Sequence, residues 1–295
     1  MPPHQDDTPF PRLDDGEPPS AAALPDAPPD AARDALRTDG IATGFPSIDR
    51  VLGGGIRRGD LIVLGGDIGS GKSSLALAIA LRMTEDSHNV AFLSGEMSAD
   101  RLVERSLAIE GRVRVDDLRR DTLPEPARST VNELVVRLQE RSPHFERLPE
   151  GGLAALPDEL RRHLDLEVAV LDSLQDLAPA LPRRAEGEAG AIRALKALAL
   201  DLDIALLVTA HLPALSRERQ DLRPRLEDYG ALGAVAQHAD VVLGLFREEM
   251  YASVAGVEGA TELVVNKNRN GGTGYVDLYF YKQWLRFEDM LDPDR

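Results

Sequence analysis

Apolar and polar positions follow two regimes along this chain, and the change falls near Gly40. Before it the sequence is Pro-, Ala- and Asp-rich with almost no aromatic or β-branched residues, a composition that buries too little to offset its own ordering entropy. Residues 1–38 read as a disordered acidic leader, in which 29–37 is a frayed turn or, alternatively, a short helix. Beyond Gly40, short continuous apolar runs alternate with stretches of helical periodicity. The runs are LIVL (61–64), VAFLS (90–94), VAVL (168–171), IALLVTA (204–210), VVLGLF (241–246), ELVVN (262–266) and YVDLYFY (275–281). Helices are expected over 71–84, 98–109, 126–140, 157–164 and 189–202. Unbroken apolar strands separated by helices imply an α/β domain with a mostly parallel central sheet covered on both faces. The last two runs, joined by NRNGGTG, read as a C-terminal antiparallel hairpin. The domain is expected to span 39–290, with 291–295 a tail.

Composition narrows the chemistry. With no cysteine in 295 residues, disulfides, thiol catalysis and Cys-ligated zinc are excluded, so no zinc is expected. The six histidines show no HExxH spacing. No run approaches the roughly 20 apolar residues of a membrane span, and the acidic, Pro-rich N-terminus resembles neither a secretory nor a transit peptide. No membrane partner and a cytoplasmic location are the expectations. The net charge is −16; nine acidic and three basic residues in the first 40 leave about −10 for the rest. Any contact with nucleic acid must therefore come from a local concentration of basic side chains.

One apolar run leads directly into chemistry. LIVL is followed by Gly66-Asp67-Ile68-Gly69-Ser70-Gly71-Lys72-Ser73-Ser74, which fits G-x-x-x-x-G-K-[ST] between a strand and a helix. Glycines let successive backbone N–H groups turn inward around a polyphosphate, and the helix that follows adds its positive N-terminal dipole. In that role Lys72 reaches the β- and γ-phosphates of ATP and the Ser73 hydroxyl binds Mg²⁺.

Hydrolysis also requires a carboxylate on the metal side and a group to orient water. VAVLD ends on Asp172 and VAFLSGE runs into Glu96, both where the C-terminal edge of a parallel sheet binds ligands. IALLVTAH ends on His211, either a sensor of the γ-phosphate or a histidine bonded to local backbone. Lys267 and Arg269 sit in NKNRNGG, at the turn between the last two strands.

These residues, with TGFPSIDRVLGGGIRRGDLIVL before the loop, FLSGEMSADRLVERSLAIEG after it, then VLDSLQDL, ADVVLGLFRE and KNRNGGTGYVDLYFYKQWLRFED, resemble the C-terminal ATPase domain of DnaB-type replicative helicases, from about Ile41 to Asp289. SGE, VLDS and KNR are similar also to the RadA and KaiC branch of the same RecA-like superfamily, which is the alternative. The resemblance implies a homohexameric ring with ATP at each subunit interface, Glu96 polarising water, and Asp172 as the second metal-side acid. It puts His211 at a position usually held by glutamine and makes Lys267 and Arg269 a basic finger pair reaching a neighbour's γ-phosphate. Arg217, Arg219, Arg223 and Arg225, in the loop 214–226, would line a central channel and meet single-stranded DNA, or else form a solvated loop. Two departures stand out. Where the family carries an N-terminal helical domain and a linker helix, only the leader is expected here, and DYGALG (228–233) stands where the family has DLRESG, putting Gly230 where the arginine would be.

Overall fold

The computed structural model describes residues 40–178, 184–251 and 256–290. The leader, its 29–37 segment and the tail expected from the sequence lie outside these residues.

Among the described residues nine strands form one mixed sheet. In chain order they are β1 (Leu61–Gly66), β2 (Val90–Ser94), β3 (His144–Arg147), β4 (Val168–Asp172), β5 (Ala205–His211), β6 (Val241–Phe246), β7 (Ala260–Asn268), β8 (Gly274–Tyr281) and β9 (Arg286–Asp289). Their spatial order is β9-β8-β7-β6-β1-β5-β4-β2-β3. The six from β6 to β3 are mutually parallel, and β7, β8 and β9 add antiparallel pairs. A separate two-residue ribbon pairs Gly40–Ile41 with Ile56–Arg57, and helix α1 (Pro46–Leu52) lies between them in the chain.

The period of two in the strands sorts side chains between two cores. Ile62 and Leu64 of β1 pack with Leu75, Leu77 and Ile79 of α2 (Lys72–Glu85) on one face. Leu61 and Val63 pack with Ile192 and Leu195 of the 19-residue helix Arg184–Leu202 on the other. β1 is buried along its whole length, so its apolar run lacks the polar alternation of a half-exposed strand. The remaining longer helices, Ala99–Gly111 (α3) and Glu125–Glu140 (α5), lie on either side of α4 (Val115–Arg120) in the chain.

The expected strands all form, but the sheet is wider than the apolar runs suggest. β3 (HFER) and β9 (RFED) have no apolar run. β3 is a four-residue edge strand that needs only one covered face. β9 is buried because its charges meet counterions: Arg286 lies 2.5 Å from Glu288 and 3.6 Å from Glu110. The C-terminal unit is thus a three-stranded meander, and β7 runs two residues further at each end than its apolar core. The helix expected over 157–164 stops at Leu160, where turns take over. The helix expected over 189–202 begins at Arg184, whose guanidinium meets Glu188 one turn on, 2.9 Å away.

Candidate functional site

Parallel pairing brings the C-terminal ends of β1, β5, β4 and β2 to one edge, and the residues that follow them enclose a cleft of about 530 Å³. The 66–73 loop forms its floor. Gly71, at φ 104°, turns the chain into α2, and a Cβ there would meet the Phe287 ring at 2.9 Å. The loop's glycines thus serve both left-handed backbone and close packing. The buried Lys72 ammonium donates to the carbonyls of Gly66 at 3.1 Å and Asp67 at 3.0 Å. Burial lowers its pKa, opposed by the charges of Asp172, Asp67 and Glu96. The Ser70 hydroxyl is buried with no hydrogen-bond partner, an orphan that an additional group in the loop would satisfy.

Asp172, 2% exposed, ends β4 beneath the loop. Its Oδ1 accepts from Ser73 Oγ at 3.0 Å and Thr209 Oγ1 at 2.6 Å, and its Oδ2 accepts from Ser94 Oγ at 3.4 Å. Three hydroxyls from three elements therefore fix one carboxylate beside the helix N-terminus, a hard oxygen set suited to Mg²⁺. Glu96 lies two residues past β2, exposed, on the wall of the same cleft. His211 ends β5. Its backbone N–H donates to Gln175 Oε1 at 3.1 Å, while its ring Nδ1 is buried without a partner. Burial, then the charge of Lys72, lowers the imidazole pKa below 6.5. The structure thus gathers Lys72, Ser73, Glu96, Asp172 and His211 in one cleft.

Lys267 and Arg269 are elsewhere. Lys267 pairs with Val242 near the start of β6, and its ammonium donates to the carbonyls of Ala236 and Ala239 at 2.8 and 2.6 Å. Arg269 donates to the Gln237 carbonyl at 2.8 Å and lies 3.2 Å from Asp240 Oδ1. The other oxygen of Asp240 accepts from Leu61 N at 2.8 Å. Leu61 opens the strand that Gly66 closes, so the pair sits at the opposite edge of the sheet, about 16 Å of extended chain from its own phosphate loop.

The basic loop is bound to its own chain. Arg217 meets Asp67 of the phosphate loop at 2.5 Å, and Tyr251 donates to the same carboxylate at 3.2 Å. Arg219 grips both oxygens of Asp228 at 2.7 Å, and Arg223 grips Glu262 at 2.5 and 2.7 Å. Arg225 is exposed.

The cleft also includes residues that motif reading passed over. Arg247, 3% exposed just past β6, donates to the Gly69 carbonyl at 3.2 Å, ion-pairs with Glu249 and lies over the Phe280 ring. Arg105 of α3 and Lys282, just past β8, complete its basic wall. Ser94 and Thr209 were the detectable ones: each is a hydroxyl at the C-terminal end of an otherwise apolar run, beside Asp172.

A parallel sheet with a glycine-lined phosphate loop, a held carboxylate and a second acid across the cleft defines a RecA-like nucleotide-binding domain. The chain belongs to the family of the DnaB-like helicase C terminal domain, matching it over residues 40–289. It is 31% identical over 259 residues to the replicative DNA helicase DnaB of Geobacillus stearothermophilus, covering 85% of this chain and 57% of that protein. It is 29% identical to the replicative DNA helicase DnaC of Bacillus subtilis, with the same shares covered. The chain thus spans little more than half the length of these relatives. Among solved structures it resembles the ATPase domain of G40P (TM-score 0.80, 23% identity, 88% of this chain and 96% of that one). A DnaB-like replicative helicase, solved together with its interactions with primase, is also similar (TM-score 0.79, 22% identity, 90% and 68%). These relationships favour the DnaB branch over the RadA- and KaiC-like alternative.

Proposed function

We propose that this chain is an ATP-hydrolysing motor of the DnaB type, acting as a homohexameric ring on single-stranded DNA. The observation that carries the reading is the division of the machinery between two edges of one sheet. The phosphate loop, Asp172 and Glu96 share the C-terminal edge of the parallel strands, whereas Lys267 and Arg269 lie at the opposite edge, beyond reach of their own cleft. Basic fingers so placed act on a neighbour's nucleotide, and head-to-tail repetition of that contact builds a ring.

Within one cleft the roles follow from position. Backbone N–H groups of residues 69–73 and the Lys72 ammonium hold the β- and γ-phosphates. Ser73 and Asp172 are the residues that would hold Mg²⁺, which when bound neutralises charge on the phosphates as the terminal bond breaks. Glu96, solvent-exposed across the cleft, accepts a proton from the attacking water. His211, held neutral by burial and by Lys72, hydrogen-bonds the γ-phosphate without adding charge. Arg269 of the neighbour stabilises the charge that develops on the transferred group.

Loop 214–226 is the proposed track contact. Three of its four arginines, Arg217, Arg219 and Arg223, are committed to Asp67, Asp228 and Glu262, so DNA phosphates must compete with these carboxylates. A primase-type partner, as in the DnaB-like relative, would engage the assembled ring.

Subunit mixing tests the ring. Lys72→Ala and Arg269→Ala should each lose most ATPase activity alone, and mixtures shown to co-assemble should regain part of it, because a site pairing native Lys72 with native Arg269 re-forms. Co-assembled mixtures that stay inactive refute a finger acting between subunits.

A further inference from the structure

Beside the nucleotide cleft lies a second cavity, of about 410 Å³, that shares Arg105, Lys282 and Leu285 with it. Arg101 and Arg105 stand one turn apart on α3, Arg114 precedes α4, and Lys282 comes from the turn between β8 and β9. None of these four cations forms a side-chain hydrogen bond or ion pair with a described residue. Arg119, Arg223 and Arg286, by contrast, each bind a carboxylate. Two carboxylates line this cavity, Glu104 and Asp116. Glu104 is already engaged by Arg119, whose Nε and Nη2 donate to its two oxygens at 2.6 and 2.7 Å. Burial lowers the pKa of Arg105, and the neighbouring charges of Arg101 and Arg119 add to the effect, opposed by Asp172 and Glu104. Arg101, Arg114 and Lys282 are exposed and Arg105 is half-buried, so solvent screens part of their mutual repulsion, and an anion held between them would relieve the rest.

We infer that this cavity is a phosphoanion site whose ligand is the orthophosphate leaving the adjoining cleft. A phosphate presents acceptor oxygens on every side and suits converging guanidinium groups. No aromatic side chain lines the cavity, so nothing there stacks a nucleobase. Arg105, Lys282 and Leu285 line both cavities, so an anion leaving the cleft meets the second set of cations at once. The hydrolytic source of the phosphate rests on the proposed ATPase activity; the site itself does not.

Binding can therefore be read without turnover. Inorganic orthophosphate is titrated into the full chain carrying Lys72→Ala, which disables the neighbouring cleft, and followed by ³¹P line broadening. Broadening should occur, sulfate should reverse it, and chloride at equal ionic strength should not. Adding Arg101→Gln and Arg114→Gln should weaken binding at least about tenfold, since two charge-assisted contacts are lost. Each single change should weaken it several-fold and serves if the double variant melts at a lower temperature. Absence of broadening, or broadening indifferent to these arginines, overturns the site. Pyrophosphate bound more tightly than orthophosphate overturns the choice of ligand. An inactive wild-type ATPase with intact phosphate binding would instead refute the motor and leave the site standing.

Discussion

At the scale of single residues, the site separates groups that hold from groups that react. Glu96→Gln keeps shape and hydrogen bonding but cannot take a proton, so the variant should bind ATP normally and turn over at least about a hundredfold more slowly. A rate near wild type, measured by phosphate release, would place the base elsewhere. His211 gives the site a pH dependence of definite sign. Its native pKa lies below the ordinary 6.5 because burial and Lys72 disfavour the imidazolium. The stability it contributes is fully present above pH 6.5 and is lost as pH falls through the lowered native value. Protonation there also adds a positive charge beside Lys72, so ATPase activity should show an acid limb. His211→Gln should flatten that limb, and a pH–rate profile unchanged in the variant would remove His211 from the site. That Lys72, Ser73 and Asp172 meet in one cleft was readable because the chemistry proposed for them needs fixed spacings or a strand end. Arg105, Arg247 and Lys282 were not, because an arginine or lysine beyond the motifs looks like any surface cation until the fold brings it to the cleft.

Among the elements, β1 is the one on which the others converge, and its contacts are unforgiving. Gly65 lies under the buried ring of Tyr229, whose hydroxyl donates to the Leu243 carbonyl at 2.6 Å. A Cβ at Gly65 would meet ring atom Cε1 at 2.3 Å. Gly65→Ala should therefore destabilise by about 1–3 kcal/mol through overpacking, and Tyr229→Phe by about 1 kcal/mol through the lost hydrogen bond. Urea unfolding monitored by circular dichroism reads both, and a neutral Gly65→Ala would mean that the ring can move aside. Tyr229 belongs to the DYGALG segment, so what looked in sequence like an altered family motif also serves to hold β6 against β1. The buried strands were legible because burial on both faces requires unbroken apolar runs. β3 and β9 escaped because one is a short edge and the other pairs its charges inside the protein, and neither condition leaves a periodic trace.

For the whole molecule, charge decides how it meets a track. A body near −10 leaves DNA only local footholds, and three arginines of loop 214–226 are already bound to carboxylates of the same chain. Single-stranded DNA should raise the ATPase rate at about 50 mM salt, and the stimulation should fade steeply by about 200 mM. Arg217→Ala with Arg223→Ala should abolish the stimulation while ATP hydrolysis without DNA persists. A rate indifferent to DNA at low salt would sink the DNA-motor reading. The proposed ring rests on resemblance as far as sequence goes, since nothing in a linear sequence shows that two basic residues end up across the sheet from the loop they would complement. That separation also bears on symmetry. A cleft on one edge and a finger on the other cannot satisfy each other in a two-fold dimer, where identical faces meet. Subunits must add in one direction, and any open row of n leaves one cleft without its finger. Only closure removes that defect, so in the proposed hexamer the sixth interface would be worth a full catalytic site as well as a contact.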